Sequence, residues 1–530
     1  MREGGNPVEE YKAAKRGDPL SVREDLQRLI QEGWQALTPA DKDLLKWLGI
    51  FFRKPTPGQF MMRIRMPNGF ATSEQLRAIA DLSRRLGNNI LDITTRQQVE
   101  LRGYTLDSVP EIFERLRGVN LRSLQTGMDN LRNFNGCPLA GVTPHELFDA
   151  SPVVMALDRQ CVGPEGNPEF ANLPRKMNIT VTGCLQNCTH NESQDIALVS
   201  AIQAGREGFN VLVGGKMGSG GFTAASALDV FVEPAQAVEV VVELVKIFRD
   251  HGPRGPRTKC RFAFLIEEWG IPKLRNEVVA RLHRELAPAG DDQRESGQAD
   301  HLGVTAQRQP GYVAVGLCVP TGRMHPDHLQ ELARLAETYG NGQIRFTVSQ
   351  DVIIPHVPES RLTRLLEEPL LDTFSPEPSP FFRKMVACTG TDFCNLAVIE
   401  TKSHAMDLSK ALEQRLGPQF DPTSIYWSGC PAGCGNHQAA DIGLRGMKVN
   451  IGGKPVDAVA IYVGGRTGRQ PRAGKLIMEL VPCDEALPDV MVTILKHLEL
   501  FKQVEREPAA KDRVLMVPDT LSSEEEAAST

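Results

Sequence analysis

The sequence predicts an internally duplicated α/β (α+β) protein whose two halves are related by a pseudo-twofold axis, and three observations predict it. A strand–helix–strand block near the N-terminus recurs 253 residues later without a gap: Pro67 matches Pro320, Leu76, Ile79 and Leu82 match Leu329, Leu332 and Leu335, Gly87 matches Gly340, and Thr94 and Gln97 match Thr347 and Gln350. A second block, TGCLQNCTHNESQDIAL at 182–198, recurs as SGCPAGCGNHQAADIGL at 428–444. In each half a glycine turn follows it, VGGKMG at 213–218 and VGGRTG at 463–468. In the second half alone, four cysteines form a C-x5-C pair (Cys388, Cys394) and a C-x3-C pair (Cys430, Cys434).

Taken in order, FMMRIRM at 60–66 alternates and reads as a strand. Thr72 with Gln75 forms a T-x-x-Q capping box, Leu76, Ile79 and Leu82 follow at helical spacing, and Gly87 reads as the helix stop. ILDITTRQQVELRG reads as one further strand. The expected division is a helical N-terminal arm (1–48), a first strand–helix–strand piece (49–125) and a first larger α/β unit (126–286). An exposed crossover (287–304), poor in apolar residues, leads to a second small piece (305–370), a second α/β unit (371–505) and a flexible Ser/Glu/Ala-rich tail (506–530). The two halves are expected to share a site between them.

The 530 residues, 41% hydrophobic and 24% charged, describe an ordinary multidomain globular chain. A net charge of −6 argues against bulk nucleic-acid binding. No run of 18 apolar residues occurs, so no membrane span is predicted. The start, MREGGNPVEEYKAAKRGD, has no apolar segment of the secretory type, and a cytoplasmic location is expected. Eleven unevenly spaced cysteines fit metal binding in a reducing compartment better than a disulfide framework.

Four thiolates brought together hold a tetrahedral zinc or an iron–sulfur cluster. The five-residue spacing and the apolar NLAVIE after Cys394 favour a cluster. So do Gly390, Gly429, Gly433 and Gly435, which can bring N–H groups to the sulfurs. In the first half, Cys184 and Cys188 stand opposite Cys430 and Cys434. Aligning Cys137 with Cys394 leaves Leu131 opposite Cys388, so one ligand is missing, and Cys137, Cys184 and Cys188 read as remnants packed in the core. Cys161, Cys260, Cys318 and Cys483 have no partner pattern and read as small buried hydrophobes. Cations show the opposite asymmetry: Arg96, which faces Ser349 in the second copy, and Arg132, Arg175 and Lys176 all lie in the half without the quartet. Together they predict an anion pocket.

These pieces, FMMRIRMPNG, ITTRQ, MDNLRN, LPRKMN, CTGTDFCN, SGCPAGCGN and VGGRTG, extend through nearly the whole chain. In combination the sequence resembles the sirohaem-containing nitrite and sulfite reductases. The resemblance implies ferredoxin-like half-domains, one [4Fe–4S] cluster on Cys388, Cys394, Cys430 and Cys434, and a sirohaem whose iron takes Cys434 as axial ligand. It implies that Arg96, Arg132, Lys176 and Asn178 line the anion-binding face. Sirohaem carries eight carboxylates, and Arg96, Arg132, Arg175, Lys216 and Arg466 are expected to meet them. Where sulfite reductases commonly carry R-K-x-K, this chain has Arg175-Lys176-Met177-Asn178, the nitrite-type pattern. The implied activity is the assimilatory six-electron reduction of nitrite to ammonium. No flavin or nicotinamide motif is present, since neither glycine turn is G-x-G-x-x-G. Electrons are therefore expected from ferredoxin, docking at Arg466, Arg469, Arg472 and Lys475. A monomer is expected, the duplication supplying the paired interface. The competing readings are sulfite reduction by the same machinery, a zinc-stabilised duplicated binding protein, and a related enzyme of corrin synthesis.

Overall fold

The computed structural model describes residues 6–218 and 221–506, so the tail expected at the C-terminus lies outside the described residues from 507 onward. Alternation in FMMRIRM produces the strand Phe60–Ile64, which pairs antiparallel with Ile50–Phe52 and Val99–Tyr104. The Thr72–Gln75 capping box forms and opens the helix Ser73–Arg85; such a cap contributes about 1 kcal/mol. Leu76, Ile79 and Leu82 on its inner face are fully buried, each stabilising the fold by about 1.5–3 kcal/mol.

Two local expectations need correction. Gly87 does not end this helix in a left-handed turn; its missing side chain matters because a Cβ would stand 2.6 Å from the Arg102 carbonyl oxygen. The segment read as one strand is a hairpin, Leu91–Ile93 and Val99–Tyr104, with TTRQ in the turn. The turn is closed by Thr94, whose Oγ1 accepts from the Arg96 and Gln98 N–H groups at 3.2 Å each, and Gln97 adopts a φ of 56°.

The fold is duplicated α/β, and the halves exchange edge strands. The first small sheet is completed by Arg323–Met324 from the second half, and the second by Phe70–Thr72 from the first. The helices Ser73–Arg85 and Pro326–Tyr339 pack together, joined at the surface by a bidentate Arg77–Glu337 pair at 2.5 and 2.8 Å. One hydrophobic core runs through both small sheets, and Val8, Leu20, Val22 and Leu29 of the N-terminal helical segment belong to it.

Each larger sheet repeats one topology. Leu131–Asn135, Met177–Thr182 and Ile196–Gln203 run parallel, then Arg206–Val213 and Ser226–Val232 run antiparallel. Met385–Ala387, Ile425–Ser428, Ile442–Ile451, Lys454–Val463 and Lys475–Pro482 do the same. The register corrects the cysteine alignment. Phe134 pairs with Ile179, and Met385 pairs with Ile425, the residue equivalent to Ile179. Phe134 therefore corresponds to Met385, and Cys137, three residues on, corresponds to Cys388. A second observation agrees: Gln97 Oε1 accepts from Gly136 N, and its equivalent Gln350 accepts from Ala387 N, at 3.3 and 3.0 Å. Leu131 is an ordinary core residue, and the quartet member without a counterpart is Cys394, which corresponds to Thr143.

The crossover is not simply exposed. Asp291–Asp292 adds to the first large sheet, Arg294 is buried in ion pairs with Glu192 and Asp292, and His301 and Leu302 are buried. Its few apolar groups are offset by charge pairing, so it docks without a hydrophobic face.

Candidate active site

The TTRQ turn, the start of Met177–Thr182 and the loop after Cys430 converge between the halves on a cavity open to solvent. Arg96, Lys176 and Asn178 enter it from the first half, and Cys434 with Gly433 from the second. The hairpin turn is tied to the cysteine loop by Thr95 Oγ1, which donates to the Cys434 carbonyl at 3.3 Å. The loops meet closely because Gly433 and Gly218 pack backbone to backbone; a Cβ on Gly433 would lie 2.8 Å from the Gly218 Cα.

No carboxylate lines this cavity among the described residues. Burial, with the positive charges of Arg63 and Arg261, sets the Arg96 guanidinium down to about 10 against the opposing charge of Cys434. Burial first, then the positive charges of Arg96 and Arg261, holds Lys176 well below the ordinary lysine range. Cations held together against desolvation and mutual repulsion form a preorganised anion site. Asn178 is fixed in one orientation: its Oδ1 accepts from Arg96 Nε at 2.9 Å, and its Nδ2 donates to Asp195 at 3.2 Å. Guanidinium only donates and carboxylate only accepts, so the carboxamide cannot be reversed.

The other expected cations lie elsewhere. Arg132 is buried next to the site, with Nη1 donating to the Asn130 carbonyl at 3.4 Å, and adds charge without lining the cavity. Arg175 turns away to Asp129, at 3.7 Å, and to the Arg257 carbonyl. The Lys216 ammonium sits over the Phe264 ring at 4.8 Å, and its neighbour Met217 reaches the cavity instead. Arg466 lines a different cavity, of about 720 Å³, together with Ser349, Ser424 and Thr467. Those residues are the counterparts of Arg96, Asn178 and Met217, so this is the pseudo-twofold image of the first cavity. Ser349 stands in place of Arg96 and Ser424 in place of Asn178, and crossover residues Ser296, Gln298 and Asp300 line it with Lys384 and Arg466. Sequence reading missed Thr95, Asn133 and Met217 as lining residues. Each adjoins or lies within a quoted motif, which was the available signal.

The quartet cysteines are all free thiols. Cys388 is pushed up to about 12 by burial and by the charge of Cys434. Gly429 N donates to Cys388 Sγ at 3.1 Å and Leu396 N to Cys394 Sγ at 3.4 Å, and Gly390 N also reaches Cys388. Gly433 and Gly435 do not serve sulfurs: their N–H groups go to the Cys430 carbonyl and to Ser428 Oγ. No three of the four sulfurs lie within 4.8 Å of one another, although such a grouping occurs elsewhere among the described residues. The Cys388–Cys394 loop is backed by a buried charge network. Arg102 stacks on Phe393 at 4.7 Å and donates to Thr389 at 3.2 Å, while Asp92 receives Arg102, Arg323 and Lys402. Of the unpatterned cysteines, Cys161, Cys260 and Cys318 are buried and Cys483 is half-buried at the margin of a core.

Comparison with known proteins agrees with this organisation. A family model described as the nitrite and sulphite reductase 4Fe-4S domain matches residues 127–286 and 379–517, and one described as the nitrite/sulfite reductase ferredoxin-like half domain matches 52–119 and 305–371. The ferredoxin–nitrite reductase of Synechococcus elongatus is 45% identical over 495 residues, covering 92% of this chain and 96% of that protein. That of Leptolyngbya laminosa is 41% identical over 497 residues, covering 93% and 97%. The solved structure of the Mycobacterium tuberculosis NirA protein superposes with a TM-score of 0.86 at 30% identity, over 93% of this chain and 94% of that one.

Proposed function

The chain belongs to the nitrite and sulphite reductase family, and on that premise we propose that it reduces nitrite to ammonium with electrons from reduced ferredoxin. The observation that carries this reading is the meeting of Cys434 with Arg96, Lys176 and Asn178 across a cavity lined by no carboxylate among the described residues. The residues present fit the family's two cofactors. Cys388, Cys394, Cys430 and Cys434 would hold the [4Fe–4S] cluster, and Cys434 would also bind the sirohaem iron. Arg96, Lys176 and the field of Arg132 would meet the macrocycle's carboxylates and the substrate anion. When bound, sirohaem supplies the open iron position for nitrite, and the cluster stores and relays single electrons.

The overall reaction consumes six electrons and eight protons: NO2⁻ + 6e⁻ + 8H⁺ gives NH4⁺ + 2H2O. The protein's part is to bind the anion, hold it through successive transfers and deliver protons. Arg96 offers a planar fork to the nitrite oxygens and is aimed by Asn178. Lys176, disfavoured as a cation by its surroundings, gives up a proton readily to an oxygen that gains charge, and so acts as general acid. Asn178 makes the site one cation poorer than the R-K-x-K pattern, which favours a singly charged anion.

Ferredoxin docking at Arg466, Arg469, Arg472 and Lys475 belongs to this proposal, supported by the exposure of all four cations on one segment of the second half. So does a cytoplasmic setting, because a free-thiol quartet needs a reducing compartment. Turnover of nitrite and of sulfite with the same reduced donor tests the substrate assignment. Nitrite is expected to be preferred; faster sulfide production from sulfite would reverse it.

A further inference from the structure

The three first-half cysteines do not stand alone. His301, delivered by the crossover, places Nε2 3.7 Å from Cys137 Sγ, and the ligand atoms of Cys137, Cys188 and His301 all lie within 4.8 Å of one another. Cys184 packs in the same buried cluster as Cys137 and Cys188, and its sulfur lies outside the 4.8 Å group that the other three form, so it would close in as the fourth ligand. All four residues are buried, and none of the three cysteines is in a disulfide. We propose that Cys137, Cys184, Cys188 and His301 bind one structural zinc ion.

The geometry selects a single ion. With Zn–S near 2.3 Å and Zn–N near 2.0–2.1 Å, tetrahedral angles place a sulfur and an imidazole nitrogen about 3.6 Å apart, close to the 3.7 Å observed. The quartet in the other half, three of whose members occupy equivalent positions, is spread more widely. Four protein ligands in a buried setting leave no open position, which is the pattern of a structural rather than a catalytic zinc.

The surroundings supply what such a site needs. Three thiolates and a neutral imidazole around Zn²⁺ carry one net negative charge, and a buried cation stands beside it. Arg345 is 4% exposed, has no ion-pair partner among the described residues, and donates to the Pro138 and Ala140 carbonyls of the Cys137 loop at 2.9 and 2.7 Å. Its Nε is buried without a partner. Gln186 N donates to Cys184 Sγ at 3.4 Å, as Ala432 N does to the equivalent Cys430. The zinc would thus pin the crossover onto the first half, where it lines the second cavity.

The test is independent of the nitrite reading. Holoenzyme purified without added metal is washed with a chelator, analysed for zinc and iron, and examined by zinc-edge X-ray absorption. One zinc per chain with three sulfurs and one nitrogen is expected. Overturning results are a metal-free chain, a zinc shell of oxygen and nitrogen only, or a further four irons per chain in place of zinc. His301→Asn, which tolerates the left-handed backbone at this position, a φ of 60°, should lose zinc to near zero while the sirohaem and cluster absorption are retained. Full zinc retention in a folded His301→Asn variant would contradict the ligand assignment. Should that variant not fold, the wild-type metal count and absorption spectrum decide the question alone.

Discussion

At the scale of single residues, the bend before a strand separates neighbours that the sequence presents as a pair. Lys176 and Asn178 reach the cavity, while Arg175, in the bend that precedes the strand Met177–Thr182, turns to Asp129. The LPRKMN motif made all three visible as candidates, but the path of the bend and the Asp129 contact distinguish them. Replacing Lys176 by Met should lower the nitrite kcat by at least about 10²-fold, with the sirohaem spectrum intact; stopped-flow or steady-state turnover measures it, and full activity would remove the proton-delivery role. Asn178→Lys adds a cation and releases Arg96, so the ratio of sulfite to nitrite kcat/KM should rise by about tenfold. An unchanged ratio would show that position 178 does not select the anion.

At the scale of elements, the hairpin turn and the cysteine loops carry the site, and both rest on buried charge. Burial would raise the Asp92 carboxyl, but Lys402, Arg102 and Arg323 outweigh it and hold it well below the carboxylate range. Removing that charge in Asp92→Asn leaves the buried Lys402 without its carboxylate, and Arg102 and Arg323 with Glu100 and Asp392 alone, and should cost about 3–5 kcal/mol, read as a lower denaturation midpoint together with earlier loss of cluster absorbance. Histidine burial sets a second dependence. His190 and His437 are each lowered to about 4 by burial. The unfolded chain therefore takes up their protons first, and stability is full above about pH 6.5 and falls as pH drops toward 4, by on the order of 3 kcal/mol for each. Urea titrations at pH 7.5 and 5 measure this, and substitution of His190 should flatten the slope. The helix Ser73–Arg85 was legible because cap and apolar spacing agree. The equivalence of Cys137 and Cys388 was not, because the local likeness of PLAG and NLAV outweighed a register that long-range Gln97 and Gln350 contacts set.

At the scale of the whole molecule, duplication produces two image cavities and the sequence makes them unlike. One receives Cys434 beside Arg96 and Lys176; the other has Ser349 and Ser424 in place of Arg96 and Asn178 and is lined by the crossover, so Arg466 lies in the cavity that Cys434 does not enter. The duplication could be read from the repeated blocks, whereas the path of the crossover depends on ion pairs such as Arg294–Glu192 that no periodicity reveals. Charge reversal at Arg469 and Arg472 should raise the KM for ferredoxin and weaken its salt dependence while activity with a small artificial donor is kept; an unchanged KM would dismiss that docking face. The central claim is complete reduction of nitrite in one cationic cavity joined to the quartet through Cys434. It is tested most directly by mixing the purified holoenzyme with nitrite and measured amounts of reduced ferredoxin, and following ferredoxin oxidation together with ammonium. Six ferredoxins oxidised for each ammonium formed, with no partially reduced nitrogen released, is the predicted result; a colourless protein, or nitrite reduction that stops short of ammonium, would contradict it.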